Sequence, residues 1–97
     1  MTIKKQRDGS KLNIGLEGRL DTTTAPQLEA ELKDLAGVTE LVFDMATLEY
    51  VSSAGLRVLL AAQKVMNKQG SMVIRNANDD IKDIFDVTGF SDILTIE

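Results

Sequence analysis

The chain contains neither cysteine nor histidine. Without thiols there are no disulfides and no thiolate nucleophile, and the usual Cys/His metal sites cannot be assembled. A Ser-His-Asp triad is excluded on the same ground. No apolar run approaches the ~18 residues that a membrane-spanning helix requires. The opening MTIKKQRDG is charged and lacks the apolar stretch of a secretory signal, so cytoplasmic residence is the expectation. Clustered basic residues are also missing. The densest group is Lys4, Lys5 and Arg7, in a chain whose net charge is −4. Tracking a nucleic-acid backbone needs a larger basic patch. No nucleic-acid, membrane, cofactor or metal partner is therefore expected, and the acidic balance serves solubility.

What is present suits one compact domain spanning residues 1–97: 43% of residues are hydrophobic and 27% charged. There is no internal repeat, low-complexity tract or linker. Thr2 to Arg7 reads as a strand, Asp8-Gly9-Ser10 as a turn, and Lys11 to Gly18 as a second strand with Leu12, Ile14 and Leu16 on one face. Thr24, Gln27 and Pro26 have the spacing of a capping box with proline in the first turn. The spacing predicts a helix with Leu28, Leu32, Leu35 and Ala36 inward, a Glu29–Lys33 pair outward, and Gly37 as its stop.

Leu41-Val42-Phe43 suits a short strand buried on both faces, with Asp44 at its end. The longest helix is predicted from about Ser53 to Gln69, with Leu56, Leu59, Leu60, Ala62, Val65 and Met66 largely inward and Gly70 as its stop. Met72 to Ile74 is another strand. Asn78 and Asp79 open a third helix with Ile81, Ile84 and Phe85 inward and Gly89 at its close, and Ile93 to Ile96 supplies an edge strand. The expected fold class is α/β, in the order β-β-α-β-α-β-α-β, with a small mixed sheet made largely parallel by crossover helices.

The segment richest in chemical possibility is Tyr50-Val51-Ser52-Ser53-Ala54-Gly55-Leu56-Arg57. Two serines stand at a helix start, where first-turn N–H groups lack intrahelical acceptors. One of them acting only as an N-cap is a sufficient structural explanation on spacing alone. With no histidine or cysteine, Ser53 has no evident general base and reads as a substrate, not a nucleophile. Asp44 at a strand end lacks the acidic pair and late lysine of a receiver site. Asn76-Ala77-Asn78-Asp79-Asp80 lacks the glycine and glutamate of a calcium loop and reads as a solvated helix start. No phosphate-binding glycine loop is present.

The run YVSSAGLRVLL resembles the signature loop of the STAS family, a D/S-S-x-G-L pattern at a helix start. Gly18-Arg19-Leu20-Asp21 and Ile84-Phe85-Asp86-Val87-Thr88-Gly89-Phe90 resemble two further landmarks, in the same order over nearly the whole chain. The resemblance implies a bacterial anti-sigma factor antagonist, a binding protein and not an enzyme. It implies phosphorylation on Ser53 by an anti-sigma factor with serine kinase activity, and reversal by a serine phosphatase. The unphosphorylated form would bind the anti-sigma factor and free the sigma factor. It also implies a partner-binding region of Asp21, Thr22, Ser52, Ala54, Gly55, Leu56 and Arg57. Ser52 replaces the aspartate that often precedes the phosphorylated serine, and Arg57 stands where some members have glycine. STAS domains also serve as constitutive subunits of lipid-transport or stress-sensing assemblies, which is the alternative function.

Overall fold

A computed structural model describes residues 1–97. β1 (Thr2–Asp8) and β2 (Lys11–Leu20) form an antiparallel hairpin closed by the Asp8–Lys11 pair. Then come α1 (Ala25–Glu31), β3 (Glu40–Val51), α2 (Ser53–Gln69), β4 (Ser71–Arg75), α3 (Asp79–Thr88), a 3₁₀ turn over Phe90–Asp92, and β5 (Thr95–Ile96). The sheet runs in the order β1-β2-β3-β4-β5, and every pair after the first is parallel. The mixed, largely parallel architecture matches the expected element order.

Sequential strand order fixes where the helices go. Each parallel crossover steps the same way across the sheet, and right-handed connections then place every helix on one face. That face carries the core: Ile14, Leu16, Leu20, Phe43, Met45, Leu48 and Ile74 from the strands, with Leu28, Leu59, Met66, Ile81 and Phe85 from the helices. The opposite face is open, and Lys4, Gln6, Asn13, Asp44 and Arg75 line a shallow polar depression on it. No helix is long and apolar enough to cross a membrane.

β3 departs from the expected short strand. It runs for 12 residues and passes straight through Asp44. Its pairing with β2 slips twice, between Gly15 and Glu17 and between Gly18 and Arg19, each time with one extra residue on β3. Each bulge flips the inward phase, so the buried residues after Phe43 fall at Met45, Leu48 and Val51. A three-residue spacing does not look like a strand, which is why the periodicity stops at Asp44. The Asp44 carboxylate accepts from the Ala46 N–H (3.0 Å) and the Asn76 side-chain amide (3.1 Å).

α1 is shorter than expected, and its capping box does not form. Thr24 makes no side-chain cap. Its hydroxyl donates to the Arg19 carbonyl (2.7 Å) and accepts from the Asp21 N–H (2.8 Å). The helix ends at Glu31, so Lys33 lies beyond it, no Glu29–Lys33 ion pair forms, and Gly37 belongs to a later turn. The reason is tertiary. Leu35 and Val38 reach the core only if the chain leaves the helix, and their carbonyls are then taken by the Gln69 side-chain amide at 2.7 Å each. Arg7 and Lys5 donate to the carbonyls of Ala36 and Glu31. Ala36 is exposed, contrary to its place in the predicted stripe.

α2 has the expected bounds, but its inward face is rotated. Val58 and Gln63 are buried, Leu60 is half-buried and Val65 is 42% exposed. α3 is capped by Asn78, whose side-chain oxygen accepts from the Ile81 N–H at 2.9 Å. It closes at Gly89, whose φ of +81° is a left-handed conformation that glycine adopts without a Cβ penalty.

Candidate functional site

The ends of β2 and β3 bring the singled-out residues together. Leu20 and Val51 are register partners, and the Ser52 N–H donates to the Leu20 carbonyl at 2.8 Å. The Asp21 turn and the α2 start are thereby held side by side.

The two serines divide the work. Ser52 is extended, with φ −93° and ψ 174°, and is the N-cap: its hydroxyl oxygen accepts from the Gly55 N–H at 3.4 Å. Its carbonyl accepts the first helical bond, from the Leu56 N–H, at 2.9 Å. Ser53 is the first helical residue and is exposed, with its hydroxyl outside the capping contacts. The N–H groups of Ser53 and Ala54 have no intrahelical acceptor, and the first turn of α2 carries no acidic residue. An anion on Ser53 would meet the positive end of a helix dipole.

Gly55 and Leu56 are buried beneath this surface. They set the position of the helix start and offer little side chain to an approaching molecule. Thr22, Ala54 and Arg57 are more open. With Ala25, Pro26, Glu29 and Val58 they line a depression of about 230 Å³ between the starts of α1 and α2. Of the seven partner-binding candidates, Asp21, Thr22, Ser52, Ala54 and Arg57 are half-buried or exposed near the α2 start, and they come from two separate segments of the sequence.

Asp21 organises a turn with its own neighbours. Its Oδ1 accepts from the Thr23 hydroxyl (2.7 Å), the Thr23 N–H (3.0 Å) and the Thr24 N–H (3.2 Å). These bonds, the Thr23 hydroxyl foremost, hold its carboxyl below the ordinary aspartate range. Arg19 Nε lies 3.9 Å from its Oδ2, and the Arg19 guanidinium stacks 4.5 Å from the centre of the Tyr50 ring. This Asp21–Arg19–Tyr50 row was not legible as a unit. The only signal was that Arg19 and Tyr50 each stand one residue before a buried strand end.

The family model described as "STAS domain" matches residues 2–97. Among curated proteins, BtrV of Bordetella bronchiseptica is 37% identical over 84 residues, covering 84% of this chain and 72% of its own. The anti-sigma-B factor antagonist of Listeria monocytogenes is 32% identical over 97 residues, covering 96% of this chain and 84% of its own. Among solved structures, the Bacillus anti-sigma factor antagonist SpoIIAA superposes in its unphosphorylated form with a TM-score of 0.79, over 99% of this chain and 87% of that one, at 16% identity. Its phosphorylated form superposes with a TM-score of 0.78, over 99% and 91% of the two chains, at 17% identity. At these identities the superpositions establish the shared fold.

Proposed function

The chain belongs to the STAS domain family, and from that premise we propose that it is an anti-sigma factor antagonist switched by phosphorylation of Ser53. The unphosphorylated form binds an anti-sigma factor of the serine kinase type and so frees a sigma factor. Phosphate on Ser53 ends that binding, and a serine phosphatase restores it. The names of the Listeria relative and of SpoIIAA, and the existence of a phosphorylated SpoIIAA, support the reading.

The observation that carries it is the separation of roles between Ser52 and Ser53. Ser52 supplies the cap that the helix needs, and Ser53 is exposed and free of that duty. Phosphate adds about −1.5 to −2 charges at neutral pH. At the first position of a helix that charge is tolerated by the carrier, so the backbone has no cause to change. The cost falls on the docked partner, which must desolvate a dianion or oppose it with its own charge. Moving a complex from ~99% to ~1% bound takes about 5.5 kcal/mol of discrimination, within reach of one misplaced dianion.

Asp21, Thr22, Ala54 and Arg57 form the contact rim in this reading, with Ser52, Gly55 and Leu56 setting its geometry. The test is competitive release of sigma factor from the cognate anti-sigma factor. Ser53→Ala releases it and is not phosphorylated, whereas Ser53→Asp releases it poorly with an unchanged far-UV circular dichroism spectrum. Phosphate found by mass spectrometry on Ser52 alone overturns the assignment. Equal partner retention by both variants points instead to a constitutive subunit of a lipid-transport or stress-sensing assembly.

A further inference from the structure

α2 is electrostatically one-sided. Its 17 residues contain Arg57, Lys64 and Lys68 and no carboxylate, in a chain whose net charge is −4. α3 is the reverse, with Asp79, Asp80, Asp83 and Asp86 against Lys82. Arg57, Ala61, Lys64 and Lys68 are exposed and follow one another at four-, three- and four-residue steps, so they form one stripe along α2. Lys33 is exposed just past α1. None of these four cations takes part in the chain's ion pairs, which join Lys4 to Glu17, Lys5 to Glu31, Arg19 to Asp21 and Arg75 to Glu97.

Beside the stripe runs an apolar groove of about 180 Å³ between α1 and α2, lined by Leu32, Leu35, Val58, Ala61, Ala62 and Val65, with Glu29 and Lys33 at its edge. Its volume equals about six waters of liquid, enough for one large apolar side chain. Val65, 42% exposed, forms one wall, and polar groups are nearly absent from the floor. The groove adjoins the depression beside Ser53, and Glu29 and Val58 line both.

We infer that this α1–α2 face docks an acidic amphipathic helix of a partner protein, with a leucine or phenylalanine seated between Leu32 and Val65 and flanking carboxylates opposite Arg57, Lys64 and Lys68. The apolar anchor supplies affinity and the unpaired cations select the sign of the partner. The inference rests on the switch reading for its biological setting and deepens it. A dianion on Ser53, one turn before Arg57, lies at the end of the surface the acidic segment approaches, and like charge then expels the segment.

The test is selection of a displayed library of 16-residue helical peptides on the full chain carrying Ser53→Ala, so that phosphorylation plays no part. Enriched peptides are expected to carry one Leu or Phe with Asp and Glu at the flanking i±3 and i±4 positions. A resynthesised peptide should shift backbone amides around Leu32, Val58 and Val65. It should bind at least ~10-fold more weakly to Val65→Asp, where a charge lines the groove, and ~10-fold more weakly to the Lys64→Glu/Lys68→Glu double variant. Val65 is partly exposed, so the first variant should keep its circular dichroism spectrum. No enrichment, enrichment of basic peptides, amide shifts confined elsewhere, or affinity unchanged by Val65→Asp each overturns the inference. So does a concentration-dependent dimer abolished by Val65→Asp, since a second copy would then cover the face. If the selection fails while Ser53→Asp still blocks release of sigma factor, the switch stands without the groove. If the selection succeeds while Ser53 is never phosphorylated, the groove stands without the switch.

Discussion

Leu20 and Gly55 lie so close that a methyl group on Gly55 would sit 2.6 Å from Leu20 Cγ and 3.1 Å from the Leu20 carbonyl oxygen. That carbonyl already accepts from the Ser52 N–H. The end of β2, which carries the Asp21 turn, and the first turn of α2, which carries Ser53, are therefore packed and hydrogen-bonded directly against each other.

Gly55→Ala should separate them. The added carbon meets a branched side chain that can shift only in part and a backbone atom that cannot. A cost of about 1–3 kcal/mol is expected from overpacking, read as a lower urea midpoint. Partner affinity should fall more than stability alone explains, because the Asp21 turn and Ser53 lose their register. Unchanged affinity in the folded variant would show that this packing does not set the site.

Gly70 and Gly89 both follow helices but should answer alanine differently. A methyl on Gly70 would lie 2.0 Å from the Thr39 carbonyl oxygen and 2.6 Å from its carbonyl carbon, both backbone atoms. Gly89 has open space around it and only its φ of +81° to object. Gly89→Ala should cost about 1–2 kcal/mol, the left-handed penalty. Gly70→Ala should cost more, because the β3 start must move. Chemical denaturation of the two variants side by side gives the ranking.

Gln69→Ala removes the amide that serves the carbonyls of Leu35 and Val38. The Val38 carbonyl then loses its donor and the Leu35 carbonyl keeps only the Val38 N–H, 3.1 Å away, at a cost of about 1–3 kcal/mol. Hydrogen exchange should speed up in residues 32–39 before the rest of the chain. Protection unchanged in that segment would mean that core packing of Leu35 and Val38 alone holds the loop.

The pH response should come from two aspartates. Asp44 is held below the ordinary aspartate range first by the Asn76 amide, then by the Ala46 N–H, with Arg75 adding attraction. Asp21 is lowered by Thr23 and Thr24. A depressed carboxyl stabilises the fold fully above its unfolded value, ~3.9, and that contribution fades as pH falls through the lower folded value. Stability should thus be insensitive to these groups from pH 7 to 5 and decline below about 4. Asp44→Asn should lower stability at neutral pH and flatten the acid limb, seen in urea midpoints at pH 7 and 3.

Local pattern alone was enough for the hairpin, the bounds of α2, the Asn78 and Gly89 ends of α3, and the element order. Each depends on neighbours in sequence: a turn residue, a cap, a stop, or an apolar period. The segment bearing the two serines was legible for the same reason, since an N-cap and the residue after it are defined by three or four positions. Contacts between distant segments decided the rest. The two bulges that carry β3 past Asp44 exist because β2 lies beside it. α1 stops at Glu31 because Gln69, more than thirty residues on, serves the carbonyls of the loop that buries Leu35 and Val38. The groove between Leu32 and Val65 needs two helices that only the crossover brings together. Val65 looked inward by period and became a wall open to solvent, because helical spacing says which residues share a face but not what the fold lays against it.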